Sequence, residues 1–303
     1  MPLIRFGQLF GMAVIAGCVA MVLFPTHAMA AERYVLSSGG SIGIYELRDE
    51  NLVEVMTLVW GVGWHGPSHP VFRRSKNTFF FDASRRDGRG SQIFEAPLQP
   101  DAKDHAKPIV QGQAPSLSPD ETQLAYVTQS NDLMILDLNS QKSRLIDVQV
   151  RYFTSPLWLD SHRLLYRLNI SHNEEDRNPE KDLVLFDFAT GTRRLLEPRA
   201  LYPIARTSKG QVICGDYFAR SLSLLDLETS TLQELFRSKL FKVGPIPILR
   251  PNNQGFLYAR QNWKNWRRLL PEAQSIYVRD WQGNETLVRD NNILVGGFFL
   301  GEK

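Results

Sequence analysis

Six apolar runs that end in a carboxylate recur along the chain. They are "GIYEL" at Glu46, "QIFEA" at Glu95, "MILDL" at Asp137, "VLFDF" at Asp187, "LLDL" at Asp226 and "IYVRDW" at Asp280, spaced 39 to 54 residues apart. A second mark alternates with them. A proline opens a short apolar run at Pro70, Pro115, Pro156, Pro203 and Pro247, at intervals of 41 to 47 residues. Each proline follows an acidic mark by 16 to 24 residues. One copy, from Pro115, reads as the four short strands "APSLS", "QLAYVTQ", "DLMILDL" and "SRLI". Turn pairs separate them: Pro119-Asp120, Ser130-Asn131 and Asn139-Ser140. A four-strand unit of roughly 40–50 residues is the pattern of a propeller blade. A single blade cannot bury both its faces, so the copies must stack in a ring.

The two ends of the chain complete the count. Asp280 calls for one more inner strand, and "ILVGGFFL" follows it. Near the other end, "RYVLSS" and "SIGIYELRD" begin a blade that lacks its first strand. The C-terminal strand therefore serves as the inner strand of the first blade, which removes an open sheet edge. The expectation is an all-β, six-bladed β-propeller spanning 31–303, with no second folded domain.

Residues 1–30 stand apart from the repeats. One cation precedes an almost wholly apolar run over 6–24, and Ala28 and Ala30 then form an A-x-A cleavage pattern before Ala31. This reads as a secretory signal cut after Ala30, and hence as export to a periplasm with no stable membrane insertion after cleavage. Two alternatives remain: an uncut membrane anchor, or lipid attachment at Cys18 within "IAGC". After cleavage, Cys214 is the one remaining cysteine, so no internal disulfide is expected. Its apolar surroundings suit a buried small hydrophobe.

The segment "PSLSPDETQLAYV…LMILDLNSQKSRLI" resembles the TolB-type, WD40-like (PD40) repeat of bacterial periplasmic propellers. Its marks are a proline, a Ser-Pro-Asp turn, an apolar strand, and a strand ending Asp-Leu. "PLWLDSHRLLYRL…LVLFDFATGTRRLL" keeps the spacing, with Asp160 in the turn. The blades from Pro203 and Pro247 keep the strands without the Ser-Pro-Asp. The resemblance implies the architecture of the region after Ala31. The α/β domain that precedes TolB propellers has no room before Arg33.

Strand direction assigns the loops. The links between second and third strands share a face with the links between blades. Four long links fall there, over 59–69, 84–90, 171–181 and 261–274. Long loops on one face of a rigid scaffold are common binding surfaces. Trp64, Arg85, Arg86, Trp263, Trp266, Arg267 and Arg268 are the candidate binding residues there, because Trp and Arg dominate interface energies. The same residues could instead cap the propeller or be solvated. Within the inner strands, the positions two after each proline (Phe72, Leu117, Trp158, Ala205, Leu249) form an apolar set for packing between blades. The positions three after include Arg73, Arg206 and Arg250. These three either give the channel a positive potential or pair with blade carboxylates.

Catalytic signatures are weak. Ser41 in "GGSIG" fits a nucleophile-elbow string, but it lies between two strands rather than at a strand-to-helix turn. His65 and His69 are four apart, with Gly66 and Pro67 opposing the helix that a metal site at this spacing needs. No catalytic residue, metal site or cofactor is assigned, and a formal charge of +3 is too small to argue for nucleic acid. The expected role is a non-enzymatic scaffold for a protein or envelope-associated partner. The alternative is a propeller hydrolase of the lactonase or glycosidase class, with its site at the channel mouth.

Overall fold

The computed structural model describes residues 31–302, except 39, 61–63, 86–89, 151–154, 169–182, 197–200, 217–220, 238–246, 252–253, 262–273 and 291–293; for some strand-end residues it describes only the backbone. The chain divides into two units, Met1–Ala30 and Ala31–Lys303, and all of the described residues belong to the second. No helix among them is long and apolar enough to cross a membrane. Apart from two short 3-10 turns, Arg74–Lys76 and Ala102–His105, the named elements are strands.

Six antiparallel sheets of four strands each form a six-bladed β-propeller. The first blade begins with β1 (Glu32–Ser38), β2 (Ser41–Arg48) and β3 (Asn51–Trp60). The second is β4 (Trp64–Arg73), β5 (Thr78–Arg85), β6 (Ser91–Pro97) and β7 (Lys107–Gln111). The third is β8 (Gln113–Leu117), β9 (Gln123–Val127), β10 (Leu133–Asp137) and β11 (Ser143–Asp147). The fourth is β12 (Leu157–Trp158), β13 (Arg163–Arg167), β14 (Leu183–Asp187) and β15 (Thr192–Leu196). The fifth is β16 (Leu201–Arg206), β17 (Val212–Asp216), β18 (Ser221–Leu225) and β19 (Leu232–Arg237). The sixth is β20 (Ile248–Leu249), β21 (Phe256–Gln261), β22 (Gln274–Arg279) and β23 (Glu285–Arg289).

The last strand, β24 (Leu294–Glu302), pairs antiparallel with β1, from Glu32 opposite Glu302 to Ser38 opposite Leu294. It supplies the inner strand of the first blade, as the incomplete N-terminal repeat requires. The closing strand packs too closely for a side chain at Gly297. A Cβ there would lie 2.4 Å from the Val35 carbonyl oxygen and 2.7 Å from the Ile248 side chain.

The core is partitioned by seams. Among the described residues, six apolar clusters are buried, and each draws residues from two neighbouring blades. Strand alternation explains this division. In β5, Phe79 and Phe81 face the first blade, while Phe80 between them faces the third. In β13, Leu164 and Tyr166 face the third blade and Leu165 the fifth. Both faces of each middle strand are buried, so the strands read as nearly continuous apolar runs. Cys214 sits in the seam between the fourth and fifth blades, where burial pushes its thiol far above the usual range.

The acidic marks have structural work in the described region. Asp137 accepts from the Asn139 and Ser140 amides at 3.0 and 2.7 Å; Asp226 accepts from Glu228 and Thr229, both at 2.9 Å. Asp187 does the same for Ala189 and Thr190, and Asp280 for Asn284. Each carboxylate closes the turn after its strand. Glu46 and Glu95 bind arginines instead.

Candidate functional site

The inner strand of each blade has one neighbour in its sheet and one free edge, which borders the central channel. Proline suits such an edge because it has no N–H to leave unpaired. Three of the repeating prolines lie within inner strands, Pro70 in β4, Pro115 in β8 and Pro203 in β16, and a register shift accompanies each. Pro156 and Pro247 immediately precede β12 and β20.

These bulged strands wall a cavity of about 160 Å³, lined in part by Pro70, Pro115, Pro156, Pro203, Ile204 and Gly297. The remaining lining is Val71, Ser116, Ser155, Leu157 and His69. His69 is the one titratable side chain among the described lining residues.

His69 is anchored from behind. Its Nδ1 lies 2.9 Å from Asp82 Oδ1 on β5. Asp82 is 5% exposed. Its Oδ1 also accepts from the Ser68 hydroxyl at 3.1 Å, and its Oδ2 from the Ala114 amide at 3.3 Å. The carboxylate thus ties two inner strands together. Both tied residues precede prolines, and both have left-handed backbones, with φ of 47° at His69 and 53° at Ala114. A residue before proline favours extended backbone, and the left-handed region costs an L-residue roughly 1–2 kcal/mol. Asp82 offsets that strain at two blades at once. Burial alone works against a charged His69, but the Asp82 charge and hydrogen bond outweigh it, so the imidazole titrates above the ordinary histidine range.

The arginines three after the prolines are engaged elsewhere. Arg73 is 7% exposed and donates to Glu95 at 3.2 Å. Arg250 donates to Glu32 at 2.5 and 3.1 Å, across the seam where the ring closes. Arg206 donates to the Leu159 carbonyl of the preceding blade. None of the three is among the cavity's lining residues. In the set two after the prolines, Phe72 stacks on Phe298 at 5.2 Å, and Trp158 donates to the Ser116 carbonyl at 3.0 Å, both across seams.

Of the candidate binding residues, Trp64 and Arg85 are paired by the backbone, which puts both at one end of the second blade. Arg86, Trp263, Trp266, Arg267 and Arg268 lie outside the described residues. Ser41 opens β2, and its hydroxyl donates to the Ser38 carbonyl at 3.0 Å, within a strand-to-strand turn. Among the described residues, no group of three or more His, Cys, Asp or Glu could hold a metal ion. Asp82 is the residue that sequence reasoning missed. Its one signal is an acid placed directly after three phenylalanines in "FFFDAS".

Fold and channel together define the class: a six-bladed β-propeller whose central passage has a proline-rich wall and one histidine among the described residues. Solved structures with this fold include TolB from Acinetobacter baumannii, with 14% identity, a TM-score of 0.59, and coverage of 88% of this chain and 67% of that one. A chain of a nidogen/laminin complex matches with 12% identity, a TM-score of 0.61, and coverage of 90% and 100%. The periplasmic gluconolactonase PpgL from Pseudomonas aeruginosa matches with 13% identity, a TM-score of 0.52, and coverage of 90% and 99%. At these identities the likeness shows the fold alone. No family model matches the chain, and no curated protein matches it significantly.

Proposed function

We propose that the chain is an exported, periplasmic propeller of the TolB-type repeat class that binds a protein or envelope-associated partner through its loop-rich face. One observation carries the reading against a hydrolase: the described channel wall is mostly proline and aliphatic, with two serines, a single imidazole and no carboxylate among the described lining residues. Glycoside or lactone hydrolysis at a channel mouth draws on opposed carboxylates or a metal. The blade acids described above are instead engaged in turns and ion pairs.

The test is a paired one. The purified protein, immobilised, is exposed to the native envelope extract beside a Trp64→Ala, Arg85→Ala, Trp266→Ala, Arg267→Ala variant. The reading expects a partner retained by the wild type and lost by the variant at an unchanged melting temperature. Equal retention by both, or turnover of lactones or glycosides by the purified protein, would overturn it. N-terminal sequencing of the mature protein tests export: it should begin at Ala31, not at Met1 or at a lipidated Cys18.

A further inference from the structure

We infer that the channel cavity is a binding site for a carboxylate on a short, branched apolar body, with His69 as the group that receives the carboxylate. The inference does not depend on whether the loop-rich face binds a macromolecule.

The geometry supplies three requirements of such a site. The first is a donor whose other partner is fixed. His69 Nδ1 is committed to Asp82, which fixes the ring, and His69 lines the cavity, so Nε2, the ring nitrogen that Asp82 does not hold, is the one assigned to the ligand. The second is a satisfied counter-charge. Asp82 receives the Ser68 hydroxyl and the Ala114 amide as well as His69, so the buried carboxylate is satisfied without drawing on a ligand. The third is a mostly apolar wall of suitable size, with Ser116 and Ser155 as its hydroxyl-bearing members. A volume of about 160 Å³ equals roughly five waters at ~30 Å³ each. It is well below the roughly 300–1,000 Å³ of drug-sized pockets. Pro70, Pro115, Pro156, Pro203, Leu157 and Ile204 offer rigid hydrocarbon to a branched aliphatic body. The strained backbone at His69 fits this view, because left-handed non-glycine residues concentrate at ligand sites.

Protonation decides which way the cavity faces chemically. A neutral His69 that donates from Nδ1 to Asp82 presents a bare Nε2, which repels a carboxylate's lone pairs. The imidazolium presents an Nε2–H, which donates to it. The elements packed around His69 contribute few competing charges. Asp82 comes from β5, while the described cavity wall from β8 and β24 is Pro115, Ser116 and Gly297, none of them titratable. Arg73 on the same strand is already paired with Glu95. Binding above the pKa of His69 must therefore take up one proton, and affinity should fall about tenfold per pH unit there.

The carboxylate could belong to a free monocarboxylic acid or to the end of a polypeptide. Imidazole NMR on the 15N-labelled protein at pH 6 distinguishes the two, with the His69 resonances assigned by comparison with His69→Gln. The probes are isovalerate, its neutral analogue isovaleramide, and the dipeptide acetyl-Gly-Val with a free or an amidated C-terminus. The expected result is a saturable shift of His69 Nε2 with a free carboxylate and none with its amide partner, weakening about tenfold per pH unit above the histidine's pKa. Response to isovalerate alone identifies a small-molecule site; response to the dipeptide acid identifies a chain terminus. Three outcomes would overturn the inference: no saturable shift with either acid, equal binding of the amides, or affinity independent of pH. The amide and pH comparisons use the wild-type protein, so they stand even if His69→Gln does not fold.

Discussion

A single buried carboxylate organises the channel wall. Asp82 takes three hydrogen bonds and holds two residues, His69 and Ala114, in backbone conformations that neither would adopt freely. Asp82→Asn keeps the size but removes the charge and turns one acceptor into a donor. It should destabilise the protein by about 3 kcal/mol, read as a lower urea midpoint at unchanged slope. An unchanged midpoint would remove Asp82 from this role. The His69 pair also makes stability depend on pH. Its folded pKa is raised, so its contribution is full below about pH 6.5, the unfolded value, and is lost as pH rises through the folded value. The melting temperature of the wild type should exceed that of His69→Gln by more at pH 6 than at pH 9. A constant difference would contradict the ion pair. Little of this was legible in the sequence. An acid after three phenylalanines gives no hint of partners 13 and 32 residues away. Likewise, nothing local to Arg250 indicates Glu32, 218 residues distant.

Among the elements, the inner strands are the least regular. Their prolines were legible at intervals of 41 to 47 residues, and so was the apolar set to which Phe72 and Trp158, both packed across seams, belong. The bulges at Pro70, Pro115 and Pro203 were not, because a register shift leaves no mark in residue type. Two inner strands are only two residues long, β12 and β20, yet Trp158 and Ile248 still fill their seams. The closing strand β24 depends on close approach. Gly297→Val would place its Cβ against the Val35 carbonyl and the Ile248 side chain. Overpacking of this kind costs roughly 1–3 kcal/mol, and it should appear in thermal melts as a lower transition temperature. A variant as stable as the wild type would mean that β24 can move away from β1 without loss.

At the scale of the molecule, the ring is six seams; the two ends of the described chain pair inside the first blade, and the last seam packs that blade against the sixth. Tyr34, Leu36, Ile248 and Leu257 fill that seam, and the Arg250–Glu32 pair spans it beside the Arg289 contact with the Leu52 carbonyl. The blade count was legible because the acidic mark recurs six times and the proline five, and the closure was legible because the first copy lacks a strand. The loop-rich face stays an expectation from strand direction, since Trp263, Trp266, Arg267 and Arg268 lie outside the described residues. The measurement that bears most directly on the closed ring is urea unfolding of 31–303 against a chain ending at residue 292. Removing β24 deletes a ladder of seven residue pairs with β1. It also uncovers the apolar surface that Phe298, Phe299 and Leu300 cover in the two adjoining seams. At about 1 kcal/mol per net hydrogen bond, the ladder and that surface together should be worth more than about 5 kcal/mol, comparable to the whole stability of many domains. The truncated chain should therefore be largely unfolded in buffer or lose its cooperative transition. The same midpoint and slope for both chains would contradict a ring closed by its last strand.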